Sequence, residues 1–170
     1  MAHAFKRYAR AESAVQSVME ILIDSQEGLV AVGERLRDLN LKRYFFAESL
    51  KRARFIHELE RLARLQGVPK IPGKGSAAAK VHRAWAGIKA KFAESDHTLL
   101  VTAEYGERAI DRVYDRIVRT HLPLSFRRLF ALQAKHIHGV HSYVKTARDR
   151  AAHERRPARA VVRAGDASAD

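Results

Sequence analysis

Cysteine is absent from all 170 residues, which removes thiolate nucleophiles, thiolate metal sites and disulfide frameworks at once. No apolar run approaches the roughly 20 residues that cross a bilayer, so no membrane partner is expected. Met1 to Arg10 is basic and has no apolar stretch of the kind a secretory leader carries, which makes a cytoplasmic protein the expectation. Alternating apolar and polar runs are missing, as are Asn-Gly or Asp-Gly turns between them, so strands are not expected.

What is present is charge and helical periodicity. Lysine plus arginine number 32 against 19 acids, a formal net charge of +13. The excess is spread over the chain: +3 over residues 1–10, −4 over 11–41, +4 over 42–66, +5 over 67–95, −1 over 96–120, +5 over 121–150 and +1 over 151–170. No single segment therefore reads as a recognition element. Such a surface attracts nucleic acid without sequence preference, and it also serves plain solubility.

At this length one domain with a real core is expected. Val15, Val18, Leu22, Ser25, Leu29, Val32, Leu36 and Leu39 recur at steps of three and four, which predicts a first helix from about Glu12 to Leu39. Asn40 marks a turn, and a second helix follows over about Lys42 to Gln66, with Phe45, Phe55, Ile56, Leu59, Leu62 and Ala63 on one face. Gly67, Pro69, Pro72, Gly73 and Gly75 stand close together and mark a loop. Ser76 caps a predicted helix over about 76–93, lined by Val81, Trp85, Ile88 and Phe92.

Ser95 and Asp96 cap the next helix, which presents Leu99, Ala103, Gly106, Ile110, Val113, Tyr114 and Ile117. Pro123 restarts the chain for a last helix carrying Phe126, Leu129, Phe130, Ile137, Val140, Val144 and Ala147 inward. The domain organisation read from this is a basic extension over 1–10, a helical bundle over 11–150 and a disordered tail over 151–170, where periodicity stops. Short turns make two antiparallel hairpins, and a link holding a helix of roughly 17 residues spans about 25 Å, enough to cross the bundle. The expected fold is all-α: a ferritin-like up-down-down-up four-helix bundle with an extra helix in the long crossover.

Certain stretches point the same way. Asp24-Ser25-Gln26-Glu27-Gly28-Leu29, Lys51-Arg52-Ala53-Arg54-Phe55 with Glu58-Leu59, His82-Arg83-Ala84-Trp85, Glu104-Tyr105-Gly106-Glu107-Arg108-Ala109, and Gln133 with His141 together resemble a bacterial family of uncharacterised ferritin-like bundles, classed as a domain of unknown function. The resemblance spans about residues 12–148. It departs from the pattern at Ser25, Leu29 and Arg108, where the family favours glycine, an aromatic and an acid. It implies the fold and assigns no activity.

A di-metal carboxylate bundle needs inward acids on all four helices and a Glu-x-x-His pair on two of them. None of the candidate acids begins such a pair: three residues after Glu48, Glu58 and Glu104 stand Lys51, Arg61 and Glu107. At 100° per residue, Asp24 and Glu27 turn away from the first helix's apolar face and Glu58 sits on a flank, whereas Glu48, Arg52, Glu107, Gln133 and His141 point inward. Two readings compete for this cluster. In one, Glu48, Glu107 and His141 form a reduced iron or manganese site with Gln133 nearby. In the other, Arg52 bridges Glu48 and Glu107, and His141 closes a buried ionic network with Gln133. Arginine stays charged, which opposes a divalent ion among these ligands, so no cofactor is expected.

His136, His138 and His141 do not converge on one ion, because His136 and His138 project to opposite flanks, and those two read as surface histidines. Gly73-Lys74-Gly75-Ser76 lacks the spacing of a phosphate-binding loop. The function expected is a non-catalytic bundle with a structural or interaction role. The alternatives are an iron-binding protein or oxidase with an incomplete site, and sequence-independent nucleic-acid binding through the basic surface. A homo-oligomer is a further expectation for partners.

Overall fold

The structure, a computed structural model, describes the backbone of residues 2–68 and 95–166 and the side chains of residues 11–68 and 95–154. The described residues form four helices and no strand: α1 (Ala2–Arg35), α2 (Leu39–Leu65), α3 (Asp96–Val118) and α4 (Leu124–Asp166). The crossover helix expected over 76–93, with Trp85, lies outside the described residues.

Local chemistry explains where the helices stop. The Asp38 carboxylate accepts hydrogen bonds from Asn40 N (2.7 Å) and Leu41 N (3.0 Å), so two amides without intrahelical partners are satisfied by one N-cap. The turn therefore falls at residues 36–38, and Asn40, read as the turn, sits inside the first turn of α2. Leu39 accordingly leaves the seam of α1 and is 64% exposed. At the other end of α2, Gly67 adopts φ +67°, and Val68 N reaches back to the Ala63 carbonyl at 2.9 Å. That left-handed closure is available to glycine at little steric cost. Ser95 caps α3 through Thr98 N, and α4 begins directly after Pro123.

Cross-helix contacts give the packing sense. Ser25 faces Arg52, so α1 and α2 are antiparallel neighbours, with Gly33 allowing the Phe46 ring a close approach. Asp96, at the start of α3, accepts hydrogen bonds from Arg37 N and Asp38 N, both at 2.9 Å, just past the end of α1. Helices α1 and α3 are thus antiparallel too. Tyr114 meets Gln133 while Glu104 meets His141, and Tyr44 meets Tyr143 while Phe55 meets Gln133, so α4 runs against both α3 and α2.

The core lies between these faces. Val15, Val18, Leu22, Leu29, Val32 and Leu36 of α1 are buried as the spacing predicts, against Phe45 and Leu59 of α2, Leu99 and Ile110 of α3, and Phe126, Phe130 and Ile137 of α4. Helicity extends past this core at both ends. Residues 2–10 continue α1, and α4 runs on through 151–166, where a disordered tail was expected. Apolar periodicity reports a buried face, whereas alanine- and arginine-rich segments favour helix without one.

Candidate functional site

At the centre of the four helices lies Arg52, fully buried. Three elements supply its partners. Its Nη2 donates to Glu107 Oε2 on α3 at 2.6 Å, and its Nε donates to Ser25 Oγ on α1 at 3.1 Å. Its Nη1 lies 3.8 Å from Glu48 Oε2, one turn back on α2. The Ser25 hydroxyl donates in turn to Glu107 Oε1 at 3.4 Å. Burial pushes the Glu107 carboxyl above its ordinary range, and the Arg52 guanidinium and the Ser25 hydroxyl pull it back only in part.

Glu48 extends the network toward the surface. Its Oε2 lies 2.7 Å from His136 Nε2 on α4, and the His136 ring packs edge-on against Phe55. The pair forms part of the wall of a groove of about 390 Å³ between α2 and α4, lined also by Tyr44, Leu132, Lys135, Gly139 and Val140. Burial, followed by the Glu48 and Glu107 charges, pushes the Tyr44 phenol up, so its hydroxyl stays protonated beside the carboxylate.

The structure brings Glu48, Arg52 and Glu107 together and separates the other two residues of the predicted set. Gln133 is buried, yet its partners are the Tyr114 hydroxyl (2.9 Å) and the Phe55 carbonyl (3.3 Å). It stitches α2, α3 and α4 without touching an ion. Burial pushes the Tyr114 phenol up as well, which keeps it a donor to Gln133.

His141 does not close the network around Arg52. It sits in a second cluster between α3 and α4, its Nε2 3.0 Å from Glu104 Oε1 and its Nδ1 3.2 Å from Asp111 Oδ2. Arg108 and Arg148 also hold Glu104, and His138 reaches Asp111 at 3.3 Å. Burial pushes the Glu104 carboxyl up, but hydrogen bonds from Arg108 and His141 and the charges of Arg108 and Arg148 outweigh it, leaving it below the ordinary value of 4.5. His141 lies on the α3 side of α4 and His136 on the α2 side, so His136 and not His141 meets Glu48.

Ser25, His136 and Glu104 are the partners that sequence reasoning missed. Ser25 was visible as a hydroxyl on the apolar seam of α1. Glu104 stands three residues before Glu107, on the same side of the helix. His136 read as a surface residue, and nothing in its spacing points to Glu48. Asp24 is partly buried and Glu27 exposed on α1, and Glu58 pairs with Arg54 on α2.

The donor set fits a divalent metal poorly. The Arg52 guanidinium, a permanent cation, occupies Glu107 Oε2 and lies beside Glu48, where a metal would need both carboxylates free. Among the described residues, no group of three or more His, Asp or Glu side chains is arranged to hold one ion. Nor is any helix among them long and apolar enough to cross a membrane.

Residues 10–120 match a protein family described as "Domain of unknown function (DUF2383)". No curated protein and no solved structure matches the chain.

Proposed function

The chain belongs to the DUF2383 family, which brings no activity with it, and from the geometry we propose a non-catalytic, ferritin-like bundle in which an ionic network stands at the centre, where relatives of that fold hold metal. The antiparallel contacts of α1 with α2 and α3, and of α4 with α2 and α3, support the up-down-down-up sense of such a bundle. Its role is structural or interactive, in a cytoplasmic protein, and it uses no iron or manganese.

One observation carries the reading: Arg52, wholly buried, bonds Glu107 at 2.6 Å while Ser25 holds its Nε. A guanidinium cannot be deprotonated to make way for a metal ion. Its fork geometry ties α1, α2 and α3 at one level and thereby sets their register. Buried charges left without partners are expensive, so alternative registers of these helices are disfavoured.

Elemental analysis of untagged protein, purified without chelator and then loaded with ferrous iron, tests this. Less than equimolar iron and manganese is expected before and after loading. Stoichiometric metal that disappears in Glu107→Ala would overturn the reading and establish the incomplete metal site instead.

A further inference from the structure

We propose that the groove between α2 and α4 binds single-stranded nucleic acid, with the phosphate backbone held by cations on both walls and a base stacked on Tyr143. This partner assignment rests on the reading of the bundle as an interaction protein, and its test is separate from the metal analysis.

Charge is the first support. Residues 116–148 contain no aspartate or glutamate, so the α4 wall is free of carboxylates from end to end. Helical spacing from the groove residues Leu132 and Lys135 brings Arg128 onto the same side, and Arg128 and Lys135 are both exposed. From Tyr44 on α2, a spacing of seven brings Lys51 to the opposite wall, its ammonium 5.8 Å from the centre of the Phe55 ring. Two acids face this region. Glu48 is turned inward between His136 and Arg52, and Glu58 is held by Arg54 at 3.0 Å. The field over the groove is therefore positive.

Aromatic surface is the second. Tyr143 is 42% exposed and lies against Tyr44 with ring centroids 4.0 Å apart and planes inclined by 32°. Tyr44 thereby fixes the Tyr143 ring at the end of the cationic row, and Leu132, 71% exposed, adds an apolar shelf. Cations on both walls with a fixed ring at one end form the arrangement that holds single strands without reading sequence. An acidic peptide would use the cations but gain little from the ring. A duplex keeps its bases stacked on one another and offers none to the ring.

Fluorescence anisotropy of labelled oligothymidylate and oligouridylate of equal length, titrated with the full chain at several salt concentrations, tests the assignment. Both strands are expected to bind, with log K falling against log salt at a slope of about −2 for three phosphate contacts. A preference for one of them would tell DNA from RNA as the source. Arg128→Glu with Lys135→Glu should weaken binding at least roughly tenfold and flatten the slope. Tyr143→Ala should weaken it roughly tenfold and leave the slope unchanged.

The control is Arg112→Glu with Arg116→Glu, the same charge reversal at exposed positions of α3, a helix that does not line the groove. It should change affinity by no more than about twofold, with circular dichroism confirming that every variant is folded. Equal weakening by the control pair would show a diffuse field and overturn the site. So would absence of binding at low salt, tighter binding of a duplex, or displacement of the strand by oligoglutamate at equal charge concentration.

Discussion

Arg52 meets Glu107 and Ser25 in full burial, with Glu48 at the groove edge, and the response to removing each partner follows from that burial. Truncation by Arg52→Ala leaves Glu107 buried and uncompensated, and is expected to destabilise the protein by about 3–5 kcal/mol. Replacing both charges, as in Arg52→Met with Glu107→Leu, is expected to restore most of that loss, because desolvation of two ions roughly cancels their attraction. Urea unfolding of the two single variants and the double variant reads the coupling directly. Glu104 behaves differently. Its carboxyl lies below the ordinary value in the folded protein, so its contribution is present above that value and is lost as pH falls through the lowered one. Glu104→Gln should therefore lower the urea midpoint at neutral pH and leave a shallower decline on the acid side. Three of the residues in these clusters were legible from helical spacing alone, since Glu48, Arg52 and Glu107 share the core direction of their helices. The pairing of His136 with Glu48 was not. It depends on which flank of α4 turns toward α2, a rotation that apolar spacing fixes only to within a neighbouring residue.

Helix ends follow a different physics from helix faces. Asp38 satisfies two amides of α2, and Asp96 does the same for the two amides of residues 37 and 38. Asp38→Ala is expected to cost about 1 kcal/mol as a lost N-cap. Asp96→Ala should cost a comparable amount, because its carboxylate accepts two hydrogen bonds from the turn that ends α1. Thermal or urea unfolding measures both, and the double variant should lose less than the sum, since the two carboxylates brace one turn. The caps at Ser95 and the stop at Gly67 could be read from sequence because those residue types are strongly biased to such positions. The turn at residues 36–38 could not be placed as well. Asp38 and Asn40 are both turn formers two residues apart, and only the partner of each amide decides between them. The helical run of α4 beyond residue 150 was missed for a related reason: without an apolar stripe, intrinsic propensity is the only signal left.

At the scale of the molecule the arrangement divides into two hairpins, α1–α2 and α3–α4, each packed closely within itself. That much was legible, because short connections between long apolar-faced helices leave little choice but antiparallel neighbours. How the hairpins meet was less so, and Asp96 and Arg52 are among the residues that join them. Their placement has a consequence for the chain cut in two. Arg52 belongs to the first hairpin and its strongest partner, Glu107, to the second, so neither half can desolvate its own charge alone. Fragments 1–75 and 76–170 made separately should each be poorly ordered, yet reassemble when mixed into a stoichiometric complex with the far-ultraviolet circular dichroism of the intact chain. The same mixture made with Glu107→Lys in the second fragment should fail to assemble, because two like charges would then face each other in the dry centre.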